Sequence, residues 1–341
     1  VKNEVIILGY DPARIAGGIA SVTDVLLKGL PNVRLLPLKH CYGVLDVCLY
    51  FRSLVKFAAV ARQRPVTHLI VGSKGDRLRA IPVLIMAALL KFPLCIQYHK
   101  QLDGLLSGIW FLDQIIDAIF RVCSCHVFLS ERLRREFLDR HPDCDFSVTK
   151  VIGNALPNEW MDLPTPSRNE RPVDIVFCGR WNKEKGIELL VEYLLRSRER
   201  VACEIYTDHP HQLSIPGTVV KSWATADELR AAMSRARLVV LPSNREGYPT
   251  VLLESMACGT PFVASAITGI VDIAIESRGG MVFPAGDILG FSVAINSILR
   301  HSHIWGRCSK RGHSWVNWQC RTDTVLRKWA SLYDQLKATR P

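Results

Sequence analysis

Short apolar runs alternate with helix-length segments along almost the whole chain, and this rhythm restricts the possible folds more than any other feature. In the first half the runs fall at residues 5–8, 33–37, 68–71, 94–98 and 126–129. In the second half they fall at 175–178, 203–206, 219–222, 238–241, 262–265 and 281–283. Runs of this length, bounded by turn residues, read as buried strands. Strands that alternate with helices predict parallel sheets in an α/β protein. Between the two sets lies 156–172, LPNEWMDLPTPSRNERP, which has four prolines, several charges and no periodicity, and so reads as a linker. Two doubly wound domains are therefore expected, 1–158 and 159–341, each of ordinary size.

The most specific stretch is 242–265, PSNREGYPTVLLESMACGTPFVAS. It leaves a strand, turns at Glu246-Gly247 and enters an apolar-rich helix over about 250–258. Gly259, Thr260 and Pro261 stop that helix. Glu246 is thus placed in a loop at a strand's carboxyl end, and Glu254 two to three turns further on. In open α/β sheets ligands bind beyond the carboxyl ends of the strands. An ionised carboxylate is purely an acceptor, so two of them there can hold two sets of hydroxyls on one ligand. A solvated helix with two surface glutamates would explain neither Gly247 nor the turn residues at both ends.

With its flanking residues, this stretch resembles the donor-site signature of retaining glycosyltransferases of the GT-B fold, family 4 (P-S-x-x-E-G-x-P-x-x-x-x-E-x-M-A-x-G-x-P). A second segment points the same way. Residues 175–186, IVFCGRWNKEKG, read as a strand, then Gly179-Arg180, then a polar loop ending in Lys185-Gly186 before a helix. An Arg and a Lys beside a helix N-terminus suit a diphosphate. The pattern is similar to the family's G-R-x-x-x-x-K-G. Gly17-Gly18 follows the first strand, where a glycine pair lets backbone approach an anion, and His99 follows the strand 94–98.

The resemblance implies two Rossmann-like domains facing across a cleft. The last helix, about 315–338, either crosses back to the first domain or packs on its own. The implied reaction is retaining transfer of a sugar from a nucleotide diphosphate sugar, a UDP- or GDP-sugar, to a hydroxyl of a glycan acceptor. Arg180 and Lys185 would neutralise the leaving diphosphate, assisted by the Gly17-Gly18 backbone. Glu246 would accept from the donor sugar, with Gly247, Tyr248, Pro249 and Thr250 around it, and Glu254 would take the ribose. His99 would orient the sugar, while Lys100 and Asp103 are candidates for the acceptor side. No metal or other cofactor is expected, since cationic side chains do the neutralising. Two segments depart from the family pattern: Thr268-Gly269-Ile270-Val271-Asp272 stands where G-G-x-x-E is usual, and Ile152-Gly153-Asn154 replaces an I-P-N-G-like turn.

The net charge of +11 is uneven, with 20 Lys and Arg against 13 Asp and Glu in residues 1–150. Clusters at Arg52, Lys56, Arg62 and Arg64, at Lys74, Arg77 and Arg79, and at Arg132, Arg134 and Arg135 could attract an anionic membrane or a phosphorylated substrate. No zinc-finger, RNA-recognition or basic-zipper pattern accompanies them, so no nucleic-acid partner is expected. Segment 104–120, GLLSGIWFLDQIIDAIF, is either a membrane-facing element or a core helix. Together these features favour a lipid-linked acceptor in cell-surface polysaccharide or lipopolysaccharide assembly. The eleven cysteines are scattered without a C-x-x-C pair, which favours a reducing, cytoplasmic setting, free or peripheral on the membrane's inner face. No leader precedes the first strand, and the longest apolar run, 81–90, is too short to span a bilayer. The alternatives are a catalytically silent GT-B module and an epimerase or phosphorylase on the same fold.

Overall fold

The computed structural model describes residues 4–15, 17–40, 44–99, 123–210 and 214–339. Lys100, Asp103 and segment 104–120 lie outside them. The chain divides into two compact units, Val1–Ala155 with Thr322–Pro341, and Leu156–Arg321.

In the first unit, strands β1 (Val5–Leu8), β2 (Val33–Leu35), β3 (Val66–Val71), β4 (Leu94–Tyr98), β5 (Cys125–Phe128) and β6 (Thr149–Val151) form one parallel sheet, ordered β2-β1-β3-β4-β5-β6. Helices α1 (Gly18–Gly29), α2 (Val44–Ala61), α3 (Lys74–Leu90) and α4 (Glu131–Arg140) connect them. All six residues of β3 are buried, as in a strand covered on both faces. Ser73 and Ser130 cap α3 and α4 by accepting from Asp76 N and Leu133 N.

In the second unit, β7 (Val173–Cys178), β8 (Cys203–Thr207), β9 (Thr218–Ser222), β10 (Ala236–Leu241), β11 (Phe262–Ser265) and β12 (Gly280–Phe283) are ordered β12-β11-β10-β7-β8-β9. Their helices are α5 (Ile187–Arg196), α6 (Ala226–Arg235), α7 (Thr250–Ala257), α8 (Thr268–Ser277), α9 (Ile288–Arg300) and α10 (Ser302–Gln319). Phe177, Leu190, Leu238, Val240, Phe291 and Ile295 centre the core.

The last helix, α11 (Thr322–Ala338), belongs to the first unit. Its Trp329, Leu332, Tyr333 and Leu336 share a core with Ile7, Leu26, Val66 and Ile70. Glycine at 29 lets α11 pack closely: a Cβ there would lie 2.1 Å from Leu326 Cδ1 and would push that side chain aside. His68 is sealed inside, stacked on Trp329 at 4.3 Å, with Nδ1 2.7 Å from the Tyr333 hydroxyl and Nε2 3.2 Å from Gln97 Oε1. Burial, helped by nearby His99, pulls its pKa down to about 3, so it sits in the fold as a neutral imidazole.

Three expectations need correction. The segment read as one helix over 315–338 is two, broken at Cys320-Arg321, and only the second joins the first unit. The unit boundary lies after Ala155 rather than at 158. The apparent linker 156–172 is anchored in the second unit: Trp160 and Met161 are buried, and Arg171 is fully buried. Its guanidinium donates to the carbonyls of Pro166 (3.1 Å), Ala236 (2.8 Å), Cys258 (2.9 Å) and Met233 (3.3 Å) and to Thr260 Oγ1 (2.6 Å). Prolines here shape a segment wrapped on the core, not a free tether. Among the described residues no helix is long and apolar enough to cross a membrane, and no described cysteine forms a disulfide.

Candidate active site

In the second unit the chain lays down β7, runs outward through β8 and β9, then returns to place β10 on the other side of β7. Loops leaving the carboxyl ends of β7 and β10 therefore diverge, and a crevice at such a reversal is where open sheets bind ligands. The loop after β7 carries Gly179 to Gly186, and the loop after β10 carries Pro242 to Pro249.

The two loops are locked together. Asn244 N donates to Glu184 O at 2.8 Å, and Asn244 Nδ2 donates to Lys183 O at 2.7 Å. Gly186 has φ +66°, and a Cβ on it would fall 1.9 Å from the Pro242 carbonyl oxygen, so only glycine allows this approach. Asn182 caps the 3-10 turn Lys183–Lys185 by accepting from Lys185 N at 3.0 Å. These contacts present Lys185, whose Nζ meets Glu246 Oε1 at 2.5 Å. Ser243 Oγ donates to the same oxygen at 2.9 Å. Both contacts use Oε1, which leaves Oε2 with acceptor capacity for a ligand hydroxyl.

Arg180 is exposed just beyond β7 and forms no ion pair among the described residues. Its turn is fixed by Gly179 N donating to Tyr206 O at 3.1 Å and by Trp181 N donating to Asp208 Oδ1 at 2.8 Å. Glu254 lies half-buried in α7. Desolvation lifts its carboxyl to about 7, against a hydrogen bond from Thr250 that acts the other way. Burial pushes the thiol of Cys178, the last residue of β7, up to about 12. Glu254 reinforces that shift and Lys185 opposes it, so both charges reach one strand end. The second unit thus brings together Arg180, Lys185, Glu246 and Glu254.

The neighbouring residues play supporting parts. A Cβ at Gly269, in the first turn of α8, would lie 1.5 Å from the Gly247 carbonyl oxygen. The divergent 268–272 segment is therefore the helix start that buttresses the Glu246 loop. Tyr248 is buried, and its phenol is held well above its ordinary pKa by burial, with Cys320, Glu276 and Asp272 adding to it. It does not titrate near neutrality. Pro249 is the residue preceding α7, and Thr250 opens that helix. Motif reading missed Ser243, Asn182 and Ser265. The Ser265 hydroxyl is buried at the end of β11, without a partner among the described residues. The first two are short polar residues in loops, and only the folded geometry gives them roles.

The first unit has its own reversal between β1 and β3. Gly17 (φ +134°) precedes α1, whose N-terminus has no side-chain cap, and a Cβ at Gly17 would meet nothing within 4 Å. Glycine is demanded there by backbone angle, not by crowding. Tyr10 Oη donates to Asp76 Oδ2 at 2.6 Å, and Gly72 N donates to the same oxygen at 3.0 Å, tying together the loops after β1 and β3. His99 follows β4, with its N donating to Val71 O at 2.9 Å. Its ring is buried, Nε2 has no partner among the described residues, and burial pulls the pKa down to about 3. It is a neutral imidazole at pH 7. Lys100 and Asp103 fall outside the described residues.

Comparison with known proteins agrees with this layout. Residues 172–301 match the family model described as glycosyl transferases group 1. The chain is 24% identical over 338 residues to the alpha-maltose-1-phosphate synthase of Mycobacterium tuberculosis, covering 87% of this chain and 86% of that one. Among solved structures, sucrose-phosphate synthase from Thermosynechococcus elongatus superposes with a TM-score of 0.77 at 19% identity, covering 98% of this chain and 100% of that one. Anabaena HepE in complex with UDP gives 0.75 at 14% identity, covering 97% and 100%.

Proposed function

We propose that this chain, whose residues 172–301 match the group 1 glycosyl transferases and which has the GT-B fold, is a retaining enzyme that moves a sugar from a UDP- or GDP-sugar to a hydroxyl of a glycan acceptor. The observation that carries this reading is the Lys185–Glu246–Ser243 cluster at the β7/β10 reversal, with Arg180, which forms no ion pair among the described residues, on the same loop as Lys185. On this reading the two cations would meet the leaving diphosphate, and the two carboxylates would accept from hydroxyls of the sugar and the ribose.

As the bond from the anomeric carbon to the phosphate oxygen breaks, negative charge grows on the diphosphate. Arg180 and Lys185 are placed to stabilise it. Glu246, with Oε1 engaged by Lys185 and Ser243, offers Oε2 to a donor hydroxyl, and Glu254 offers acceptors to the ribose. The acceptor oxygen attacks on the face the phosphate leaves, and its proton passes to that phosphate. Neutral His99 would orient the sugar without adding charge, and the Gly17-Gly18 backbone would meet the diphosphate. The side chains neutralise the diphosphate, so the reading calls for no metal. The excess of basic residues in the first half favours a lipid-linked acceptor, such as an intermediate of polysaccharide or lipopolysaccharide assembly at the cytoplasmic membrane face.

Calorimetric titration with UDP, GDP, ADP, dTDP and CDP tests the reading. One base is expected to bind selectively. Arg180→Ala should weaken it roughly 10- to 100-fold, the range of a charge-assisted hydrogen bond. Binding of none would bring the silent-module alternative forward, and turnover with inorganic phosphate would indicate a phosphorylase.

The Glu254 environment adds a pH dependence. Its folded pKa of about 7 lies above the ordinary 4.5. The group is mostly protonated at pH 6 and mostly ionised at pH 8, and its contribution to stability is present at low pH and lost as pH rises through 7. If ribose hydroxyls bind the ionised form, affinity for the selected nucleoside diphosphate rises about tenfold from pH 6 to pH 8. The ligand's own phosphate ionisation contributes equally to Glu254→Gln, so subtracting that variant's profile isolates the carboxyl. Parallel profiles would remove Glu254 from the ribose site.

A further inference from the structure

The sides of α11 do different things. Val325, Trp329, Leu332, Tyr333 and Leu336 are buried in the core of the first unit. Lys328, Ser331 and Gln335, at helical spacing along another side, wall a cavity of about 610 Å³. The facing wall is β6, with Lys150, Val151 and the following Ile152. β6 is the last strand of its sheet, so among the described residues nothing pairs with its outer side. Ile152 N donates to Phe128 O at 2.9 Å. Backbone groups alternate between the two sides of a parallel strand, so the N–H and C=O of Val151 point outward, away from β5. A helix beside an open strand edge, with a groove between them, is a geometry that accepts an extended peptide as an added strand.

The ionic groups along the groove select what enters it. Lys150, Arg327 and Lys328 are exposed there, and among the described residues no carboxylate lines it. Lys150 and Lys328 form no ion pair among the described residues. Arg327 pairs within its own helix, with Asp323 at 3.6 Å, and both side chains are exposed. A pair of that kind contributes little, which leaves Arg327 open to a second carboxylate. A lysine on a strand edge is by itself a common device against pairing with another chain. With two further cations across the groove it discriminates instead, because a basic strand is repelled and an acidic one attracted. A small anion would gain less: small-ligand sites enclose most of their ligand, whereas these three cations stand in water, where salt screens them. Buried Ile152 and Leu332 line the groove beside polar Ser331 and Gln335, so both apolar and polar residues of a strand find matching surface.

We propose that the groove between β6 and α11 binds an extended acidic peptide segment of a partner protein, which adds to the sheet through the Val151 backbone and sets its carboxylates against Lys150, Arg327 and Lys328. The site uses none of the residues assigned to sugar transfer and is independent of the transferase reading.

Calorimetric titration of the full chain with the peptide acetyl-Glu-Val-Glu-Val-Glu-Val tests it. Binding is expected, whereas acetyl-Lys-Val-Lys-Val-Lys-Val should not bind. The acidic peptide with N-methylated amides keeps its charge but cannot donate to the strand edge, and it should not bind either. Lys150→Glu with Lys328→Glu should weaken binding about tenfold or more, as two attractions become repulsions. Both residues are exposed, so the fold should tolerate the change. Hydrogen exchange on the unaltered protein reads the position directly. With the acidic peptide at about ten times its dissociation constant, the Val151 amide should exchange about tenfold more slowly. Failure of the acidic peptide to bind, equal binding of the basic or methylated peptide, or unchanged Val151 exchange in the saturated protein overturns the proposal. So does pyrophosphate binding that the charge-reversed variant loses while no peptide binds, which would mark a small-anion site. Nucleoside diphosphate binding measured on the same samples keeps the two ideas separable. If it persists while peptide binding fails, only the groove is lost; if it is absent while peptide binding holds, only the transferase reading is lost.

Discussion

Lys185→Met is expected to lower kcat/KM for nucleotide-sugar turnover about 10²- to 10³-fold, mostly in kcat, the usual cost of removing one preorganised transition-state partner. The assay is release of the nucleoside diphosphate from a sugar of the base selected by calorimetry. The substitution also strips the cation from Glu246, whose side chain is only 9% exposed. Some loss of stability would follow even if Lys185 had no part in chemistry, because an unpaired buried carboxylate is costly. Lys185→Met combined with Glu246→Gln separates the two roles. The neutral pair, with Ser243 still able to donate, should regain most of the melting temperature and none of the turnover. Recovery of turnover in the double variant would show that Lys185 serves only to hold Glu246.

Arg171→Leu should destabilise the second unit by about 4 kcal/mol, because it leaves several buried carbonyls without donors, each worth about 1–3 kcal/mol. For a unit of this size that corresponds to a fall in melting temperature of roughly 8–16 °C. Among the described residues Arg171 forms no ion pair with a carboxylate. Its charge is held by carbonyl oxygens at the C-terminal ends of α6 and α7, where helix dipoles favour a cation. Burial draws its pKa down to about 10, which still leaves it charged at neutrality. Arg171→Lys should recover part of the loss, since an ammonium supplies fewer donors and no planar fork. Scanning calorimetry reads all three proteins. A change under about 1 kcal/mol for leucine would mean that water replaces the guanidinium. Below the transition, nucleotide affinity should change little, because Arg171 precedes the start of β7 whereas Arg180 and Lys185 follow its other end.

The parts of the molecule legible in the sequence are those in which one local segment carries the whole pattern. Strand, loop and helix follow one another within 175–196 and within 236–257, so the residues that flank each reversal of strand order are neighbours in the chain. Arg171 was not legible because all its acceptors but Pro166 lie between Met233 and Thr260, brought to it only by the folded sheet. The strand β6 was missed because Thr149-Lys150-Val151 has three residues and no apolar run. The break between α10 and α11 was hidden for a different reason. Tryptophans at 315, 318 and 329 suggest one continuous apolar face, yet Trp318 is 65% exposed whereas Trp329 is buried.

The return of α11 to the first unit has a consequence for synthesis on the ribosome. His68 and Tyr333 are hydrogen-bonded across 265 residues, and every residue of the second unit emerges between them. That unit is continuous in sequence, so it can close its core as soon as Arg321 clears the exit tunnel. The first unit, although translated earlier, must wait with the groove for Trp329 open and His68 unsatisfied until α11 arrives. Order of emergence and order of completion are therefore reversed, and the earlier-made half is the one most in need of chaperone protection during translation.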